Sequence, residues 1–370
     1  MSRDISEKDR LLFENLFILE AANNHWGDLH RGKKIVQDFG AIVRGNDVKA
    51  AIKFQFRDVD NFIHKDFKGS KEVRYISKTE ATKMSQDQYA ELAQAVRTVG
   101  CIPMATPFDE ASVDLCVKLD LPILKVASSD INDWPLIEKI ASTRLPVIIS
   151  SGGASEKSLD EVVQYLERRD ISLAINHCVS LYPSEDEQLE LNQIDYLRDR
   201  YPNHVIGFSS HEYHDWEASM FISYAKGVRT WERHIDIEYN GVPVSPYCSL
   251  PQQIDIWFKA YRKAKEMSGS SSDERRHISK EEVKYLDALI RGVYARRDLA
   301  QGYVIDSATF AQDFKLAVPL RRGQLSTREI LNGTKIIRGI KADHAVTVDD
   351  IDGPYGTIDE LRNQILDRGL

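Results

Sequence analysis

Eight short apolar, β-branched runs alternate with eight segments of helical period along this chain, and that alternation limits the fold more than any other feature. Strands are expected at 17–19, 51–54, 102–105, 123–126, 147–149, 173–175, 205–207 and 230–232. Helices are expected at 28–43, 85–99, 110–119, 133–142, 155–168, 190–200, 214–225 and 251–267. Strands joined each time through a helix run parallel, and eight such units in roughly 250 residues match an α/β fold, the (β/α)8 TIM barrel. An open doubly wound sheet rarely reaches eight units and carries a glycine-rich turn after its first strand, where this chain has Glu20-Ala21-Ala22-Asn23-Asn24.

At 370 residues the chain has room for a second domain. The run Ser268-Gly269-Ser270-Ser271-Ser272-Asp273-Glu274 has the composition of a flexible linker and marks the boundary. We divide the chain into an N-terminal extension (1–15), a barrel (16–267), a linker (268–276), a small α+β or mostly β domain (277–355) and a helical tail (356–370). The small domain is expected to hold a helix over 280–290 and strands at 292–295, 316–318 and 334–337. Residues 57–84 separate the second strand from its helix by far more than the usual few residues, which marks a long lid or binding loop at the barrel's active-site end.

Composition narrows the partners. Lys plus Arg number 49 against 57 Asp plus Glu, a formal charge of −8, so no basic footprint for nucleic acid or an anionic membrane is present. The opening residues, MSRDISEKDRLLF, mix both charge signs before any apolar stretch, and no window reaches the length of a membrane span. A cytoplasmic protein is expected. Cys101, Cys116, Cys178 and Cys248 stand far apart and are expected as buried thiols rather than a zinc cluster or disulfide framework.

Catalytic groups of a (β/α)8 barrel sit where the strands end. Those positions hold Glu20, Asn23, Asn24 and His25 after the first strand, Lys53 and Gln55 at the second, Thr106 and Asp109 after the third, and Lys125, Ser128, Ser129 and Asp130 after the fourth. Ser150 and Ser151 follow the fifth, His177, Ser180 and Tyr182 the sixth, Ser209, Ser210 and His211 the seventh, and Glu232 and His234 the eighth. Two lysines and several hydroxyls at one mouth suit a multiply charged anion, phosphate or carboxylate. Either lysine could instead pair with Glu20 or Glu232. His211 and His234, on adjacent strand ends, are placed to share one divalent ion. With two nitrogens and otherwise oxygen ligands, Mn²⁺, Mg²⁺ or Co²⁺ fits better than tetrahedral zinc.

Several of these residues fall into longer runs: Glu20 with Asn24-His25-Trp26-Gly27, Lys53-Phe54-Gln55, Thr106-Pro107-Phe108, Leu124-Lys125-Val126-Ala127-Ser128 and Ser150-Ser151-Gly152-Gly153. His177-Cys178 with Tyr182-Pro183, Gly207-Phe208-Ser209-Ser210-His211 and Glu232-Arg233-His234 complete the series. Through these runs, in this order, nearly the whole chain resembles the sialic acid synthase, or N-acetylneuraminate synthase, family of nonulosonic acid synthases. Residues 292–353, with Ala300-Gln301-Gly302 and Ile340-Lys341-Ala342-Asp343, look like the antifreeze-protein-like (SAF) domain that closes those synthases.

The resemblance implies condensation of phosphoenolpyruvate (PEP) with the open-chain aldehyde of an amino sugar, giving a 2-keto-3-deoxy acid and phosphate. It implies that Lys53, Lys125, Ser128, Ser150, Ser180 and Ser209 hold PEP, that Gln55, Asp130 and Tyr182 contact sugar hydroxyls, and that Glu20 and Glu232 steer or accept protons. It further implies a metal, Mn²⁺ first, on His211 and His234, and a homodimer in which the SAF domain covers the partner's barrel. The chain departs from the family pattern at Ser210 (usually Asp), Asp130 (Glu), Ser180 (Asn) and Ser245 (acidic). The family's RPGxG turn, whose arginine recognises the N-acyl group, reads Pro319-Leu320-Arg321-Arg322-Gly323, leaving Arg321 or Arg322 to replace it. These departures cluster on the sugar side and imply an aldose other than N-acetylmannosamine. Two other readings stand beside this one: a Schiff-base aldolase using Lys53 or Lys125, and a sugar-binding homologue without turnover.

Overall fold

The computed structural model describes residues 5–73, 75–269 and 274–370; the first four residues of the expected extension and positions 270–273 of the expected linker lie outside the described residues. The chain divides into two units, 1–269 and 270–370. In the first, α1 (Glu7–Phe13) precedes β1 (Leu16–Ala22), α2 (Leu29–Asn46) and β2 (Lys49–Phe56). Two short helices, α3 (Val59–Phe62) and α4 (Ile76–Ala81), then lead to α5 (Gln86–Thr98). The series continues through β3 (Ile102–Pro107), α6 (Glu110–Lys118), β4 (Leu124–Val126), α7 (Trp134–Ser142), β5 (Val147–Ser150), α8 (Glu156–Glu167), β6 (Leu173–Cys178) and α9 (Gln193–Arg200). It ends with β7 (Val205–Ser210), α10 (Ala218–Ala225), β8 (Thr230–His234) and α11 (Pro251–Ser268). The eight strands are parallel neighbours in chain order, and β8 pairs back onto β1 to close the barrel.

Polar side chains set the helix starts. Asp28 accepts from the His30 and Arg31 N–H groups, Asp109 caps α6 through Ser112, and Ser85 forms a reciprocal capping box with Gln88. Two helices begin later than the periodicity predicts. Glu190 takes a left-handed conformation that a helix cannot include, so α9 starts at Gln193. Asp215 accepts from the Glu217 and Ala218 N–H groups, and this local turn delays α10 to Ala218. The expected N-terminal extension contains α1, capped by Ser6, whose Phe13 joins Ile18, Ala51, Met104, Ile123, Ile148, Ala174 and Val205 in one buried cluster filling the N-terminal half of the barrel interior. The expected loop at 57–84 contains α3, α4 and one 3₁₀ turn, with Phe62 and the Arg57 guanidinium both against Phe108, just past β3.

Closure of the barrel depends on an aromatic cluster outside the β8–β1 seam. Phe17 stacks on Trp231 at 5.2 Å and meets Trp257, Phe258 and Tyr261 edge-on at 4.9–5.2 Å. That packing holds β1 against β8 in a register that sets Glu20 beside His234, while β2 sets Lys53 on the other side of Glu20.

The second unit contains α12 (Lys280–Asp287), β9 (Gly292–Ala295), α13 (Phe310–Asp313), β10 (Phe314–Ala317), α14 (Pro354–Thr357) and α15 (Asp359–Leu366). β9 and β10 pair antiparallel over a core that includes Val293, Phe314, Leu325, Ile336 and Val346. The expected strand at 334–337 makes only isolated bridges, to Val304 and Ile351, and its Lys335 N–H is taken by the Asp352 carboxylate rather than a ladder partner. No helix among the described residues is long and apolar enough to cross a membrane.

Candidate active site

Five strands turn from apolar to polar two residues along the interior face: Ile18 to Glu20, Ala51 to Lys53, Met104 to Thr106, Ile123 to Lys125, Ile148 to Ser150. The result is a buried polar layer above the apolar plug. Lys53 is at its centre, ion-paired to Glu20, with Nζ 3.3 Å from Glu232 Oε1 and donating to Thr106 Oγ1 at 3.0 Å. Burial pushes Lys53 down to about 8, with Lys125 acting in the same direction and Glu232 opposing it. For Glu232, burial acts to raise the pKa, but Lys53 and Lys125 outweigh it and hold the carboxyl below its ordinary value. Glu20 Oε1 and Glu232 Oε2 are buried with no hydrogen-bond partner among the described residues.

Beside this trio is an anion cradle. Lys125 Nζ donates to Ser150 Oγ at 2.6 Å and to the Val126 carbonyl at 3.0 Å. Gly152, just past β5, is approached from two other strands: a β-carbon there would lie 2.7 Å from Ser128 Oγ, 3.2 Å from Cys178 Sγ and closer still to Ser180 Oγ. Only glycine leaves that space open. Ser209 is buried between Cys178 and Glu232 in the β6–β7–β8 register. An ammonium group with convergent hydroxyls is a binding arrangement for a phosphate or carboxylate.

His211 and His234 face each other with ring centroids 5.4 Å apart. His211 Nδ1 donates to the Val179 carbonyl at 2.9 Å, which fixes the tautomer and leaves Nε2 as an acceptor. Burial pushes His211 down to about 4 and His234 well below its ordinary value, so both rings are neutral at pH 7. His234 Nδ1 is buried without a hydrogen-bond partner among the described residues. Tyr182 packs on His211 at 4.1 Å, and Tyr247 meets His234 at 5.2 Å. A neutral imidazole pair with an orphaned nitrogen fits a divalent ion. Among the described residues no cluster of three or more His, Cys, Asp or Glu side chains is placed to hold a metal, so two imidazoles would be complemented by water and ligand oxygens.

On the rim, Gln55 Oε1 accepts from Arg57 Nη1 at 2.9 Å, while Asp130 keeps one buried oxygen unpartnered and has its pKa raised by burial. Arg57, pushed down to about 10 by burial, was not singled out in the sequence; its only signal is a cation directly after a strand. Asn176 was missed too. It is fully buried against Gly207 with both amide atoms unpartnered among the described residues, and its position two residues after Ala174 was the available signal. Arg321 and Arg322 are exposed on the second unit, and Arg322 Nε donates to the Leu366 carbonyl. Ser210, counted above among the sugar-side departures, is not on the interior face: its hydroxyl accepts from Arg233 Nη1, whose charge is met by Glu212. Glu212, two residues later, is the carboxylate that accepts from Arg233 Nη1.

Residues 44–273 match the NeuB family. N-acetylneuraminate-9-phosphate synthase of Drosophila melanogaster is 30% identical over 253 residues, covering 66% of each chain. N,N'-diacetyllegionaminic acid synthase of Campylobacter jejuni is 27% identical, covering 88% of this chain and 93% of that one. A crystal structure from Chromobacterium violaceum, provisionally assigned as spore coat polysaccharide biosynthesis protein E, superimposes with a TM-score of 0.85 at 33% identity, covering 92% of this chain and all of that one.

Proposed function

The chain belongs to the NeuB family, and on that premise we propose that it is a carbon–carbon bond-forming synthase that condenses PEP with an aldose to a 2-keto-3-deoxy acid. In the overall step C3 of PEP bonds to the aldehyde carbon, the aldehyde oxygen takes a proton, water supplies an oxygen at C2 and inorganic phosphate leaves. The observation that carries this reading is the buried Lys53 between Glu20 and Glu232, bordered by the Lys125–Ser150–Gly152 cradle and the neutral histidine pair. Lys53, Lys125, Ser128, Ser150, Ser180 and Ser209 hold the two anionic groups of PEP and present C3 to the aldehyde. Glu232, kept ionised by the lysines, and Glu20 accept or steer protons at the new tetrahedral centre. His211 and His234 hold the divalent ion, Mn²⁺ first, which when bound supplies Lewis-acid polarisation of the aldehyde. Gln55, Arg57, Asp130 and Tyr182 contact the sugar, and Arg321 and Arg322 are candidates for its substituent.

The test is inorganic phosphate release from PEP with Mn²⁺ across a panel of aldoses, with a chelator control. Metal-dependent release with one sugar is expected; no release with any, from folded protein that binds PEP, counts against the synthase. Use of N-acetylmannosamine as efficiently as any other sugar would remove the specificity part of the proposal.

The charge on Lys53 gives a pH profile. With its pKa near 8 in the ligand-free chain, the ammonium that meets PEP is present below that value and lost above it. We expect kcat/KM for PEP, which reports the free enzyme, to fall as pH rises through about 8, approaching about tenfold per pH unit. A profile flat to pH 9.5 would show that this charge is not used.

A further inference from the structure

We infer that the buried Arg233–Glu212 pair is a positioning device that sets the separation of His211 and His234. The β7–β8 ladder ends at Ser210 opposite Arg233, so although β1 keeps His234 in register opposite Glu20, no ladder pair holds His211 against His234. The guanidinium takes over from there. Arg233 Nη1 donates to Glu212 Oε1 at 2.6 Å and to Ser210 Oγ at 3.1 Å, Nη2 donates to the Glu212 carbonyl, and Nε donates to Ser249 Oγ at 2.6 Å.

Glu212 is the residue after His211, and Arg233 is the residue before His234. One planar fork therefore clamps the chain on both sides of the pair. Ser249 closes the arrangement: its N–H donates to the His234 carbonyl at 2.8 Å, and its hydroxyl also receives the Trp216 indole N–H at 2.8 Å. Ser219 donates to Glu212 from α10.

Both charges are within 1% of full burial. A buried ion pair is a poor source of stability, since desolvation cancels most of its attraction and an apolar pair of similar volume would hold the fold as well. What an apolar pair cannot supply is the set of directed bonds to Ser210, Ser249 and the Glu212 carbonyl. Among the described residues the hydrogen bonds of Arg233 go to Ser249, Ser210 and Glu212 and to neither imidazole, so the pair positions the rings through the backbone that carries them.

The inference rests on the proposed metal reading for one of its two readouts. The first is Mn²⁺ affinity of the full chain, followed by the free-ion paramagnetic resonance signal. Removing both charges in the Glu212→Gln, Arg233→Met double variant is expected to weaken Mn²⁺ 10- to 100-fold, as for partners that orient metal ligands from behind. Returning a carboxylate at Arg233's ladder partner, in Ser210→Asp with Glu212→Gln, is expected to bind Mn²⁺ more tightly than Glu212→Gln alone. The second readout needs no metal: in a crystal structure of the metal-free double variant the 5.4 Å ring separation should change, or one ring should take more than one orientation. If the double variant does not fold, Arg233→Lys keeps the charge, loses the fork and gives the same two readouts. Wild-type Mn²⁺ affinity together with an unchanged ring separation would overturn the inference. If the wild-type chain binds no Mn²⁺, the metal reading falls instead, and the ring separation alone decides.

Discussion

Gly152→Ala is expected to lower kcat/KM for PEP at least about 100-fold while the chain stays folded. The added methyl would lie where Ser128, Cys178 and Ser180 converge, inside contact distance of both hydroxyls. Both serines are on side chains that can rotate away, so the protein is not forced to unfold, and Gly152 is not among the residues with positive φ, so alanine fits its backbone. Either the methyl occupies the space of a phosphate or carboxylate oxygen, or the serines turn out of the cradle. Losing two hydroxyl bonds to a charged group removes about 3 kcal/mol or more of binding, which is the hundredfold stated. PEP affinity, measured by calorimetry on the metal-free chain, should fall in parallel with kcat/KM, and thermal melting should not move by more than a few degrees. If PEP binds the variant as it binds wild type, the anion site lies elsewhere in the barrel.

This cradle also shows where reading the sequence stops. Ser150, Lys125 and Lys53 are legible because an inward-facing strand residue two places after an apolar one has nowhere to point but the mouth, and the period of two survives in a strand of three or four residues. The same rule reaches Asn176, which was passed over because the strand was expected to end at Ile175. Gly152 reads only as part of a turn, because the crowding that makes it necessary comes from β4 and β6, and no local pattern reports that. The helices inside 57–84 span four and six residues, too short for a 3.6-residue period to show. Glu212 was invisible for another reason. The sequence shows that the acid expected at Ser210 is missing, but only the fold reveals that a carboxylate two residues later meets the same arginine.

Charge balance at the centre of the barrel leads to the second large effect. Lys53→Met is expected to abolish phosphate release and to destabilise the barrel by about 3–5 kcal/mol near pH 7, because it leaves Glu20 and Glu232 buried together without their cation. For a domain of this size that is a drop in Tm of roughly 6–20 °C. The pH dependence identifies the cause. In wild type the lysines hold the Glu232 pKa below its unfolded value, so its contribution is present at neutral pH and lost as pH falls through the folded value. In the variant, two uncompensated buried carboxylates push the pKa of the pair above the unfolded value, so the folded state binds the extra proton and gains stability as pH falls. The gap between the two proteins in urea denaturation should therefore be wide at pH 7, where Lys53 is charged, and narrow steadily toward pH 5. Glu232→Gln separates charge balance from chemistry, since the Lys53–Glu20 pair remains. That variant should lose phosphate release while keeping most of its stability. A Lys53→Met protein as stable as wild type at pH 7 would mean that the two carboxylates are not ionised together, and Glu232 could then no longer be the unprotonated group that receives the proton.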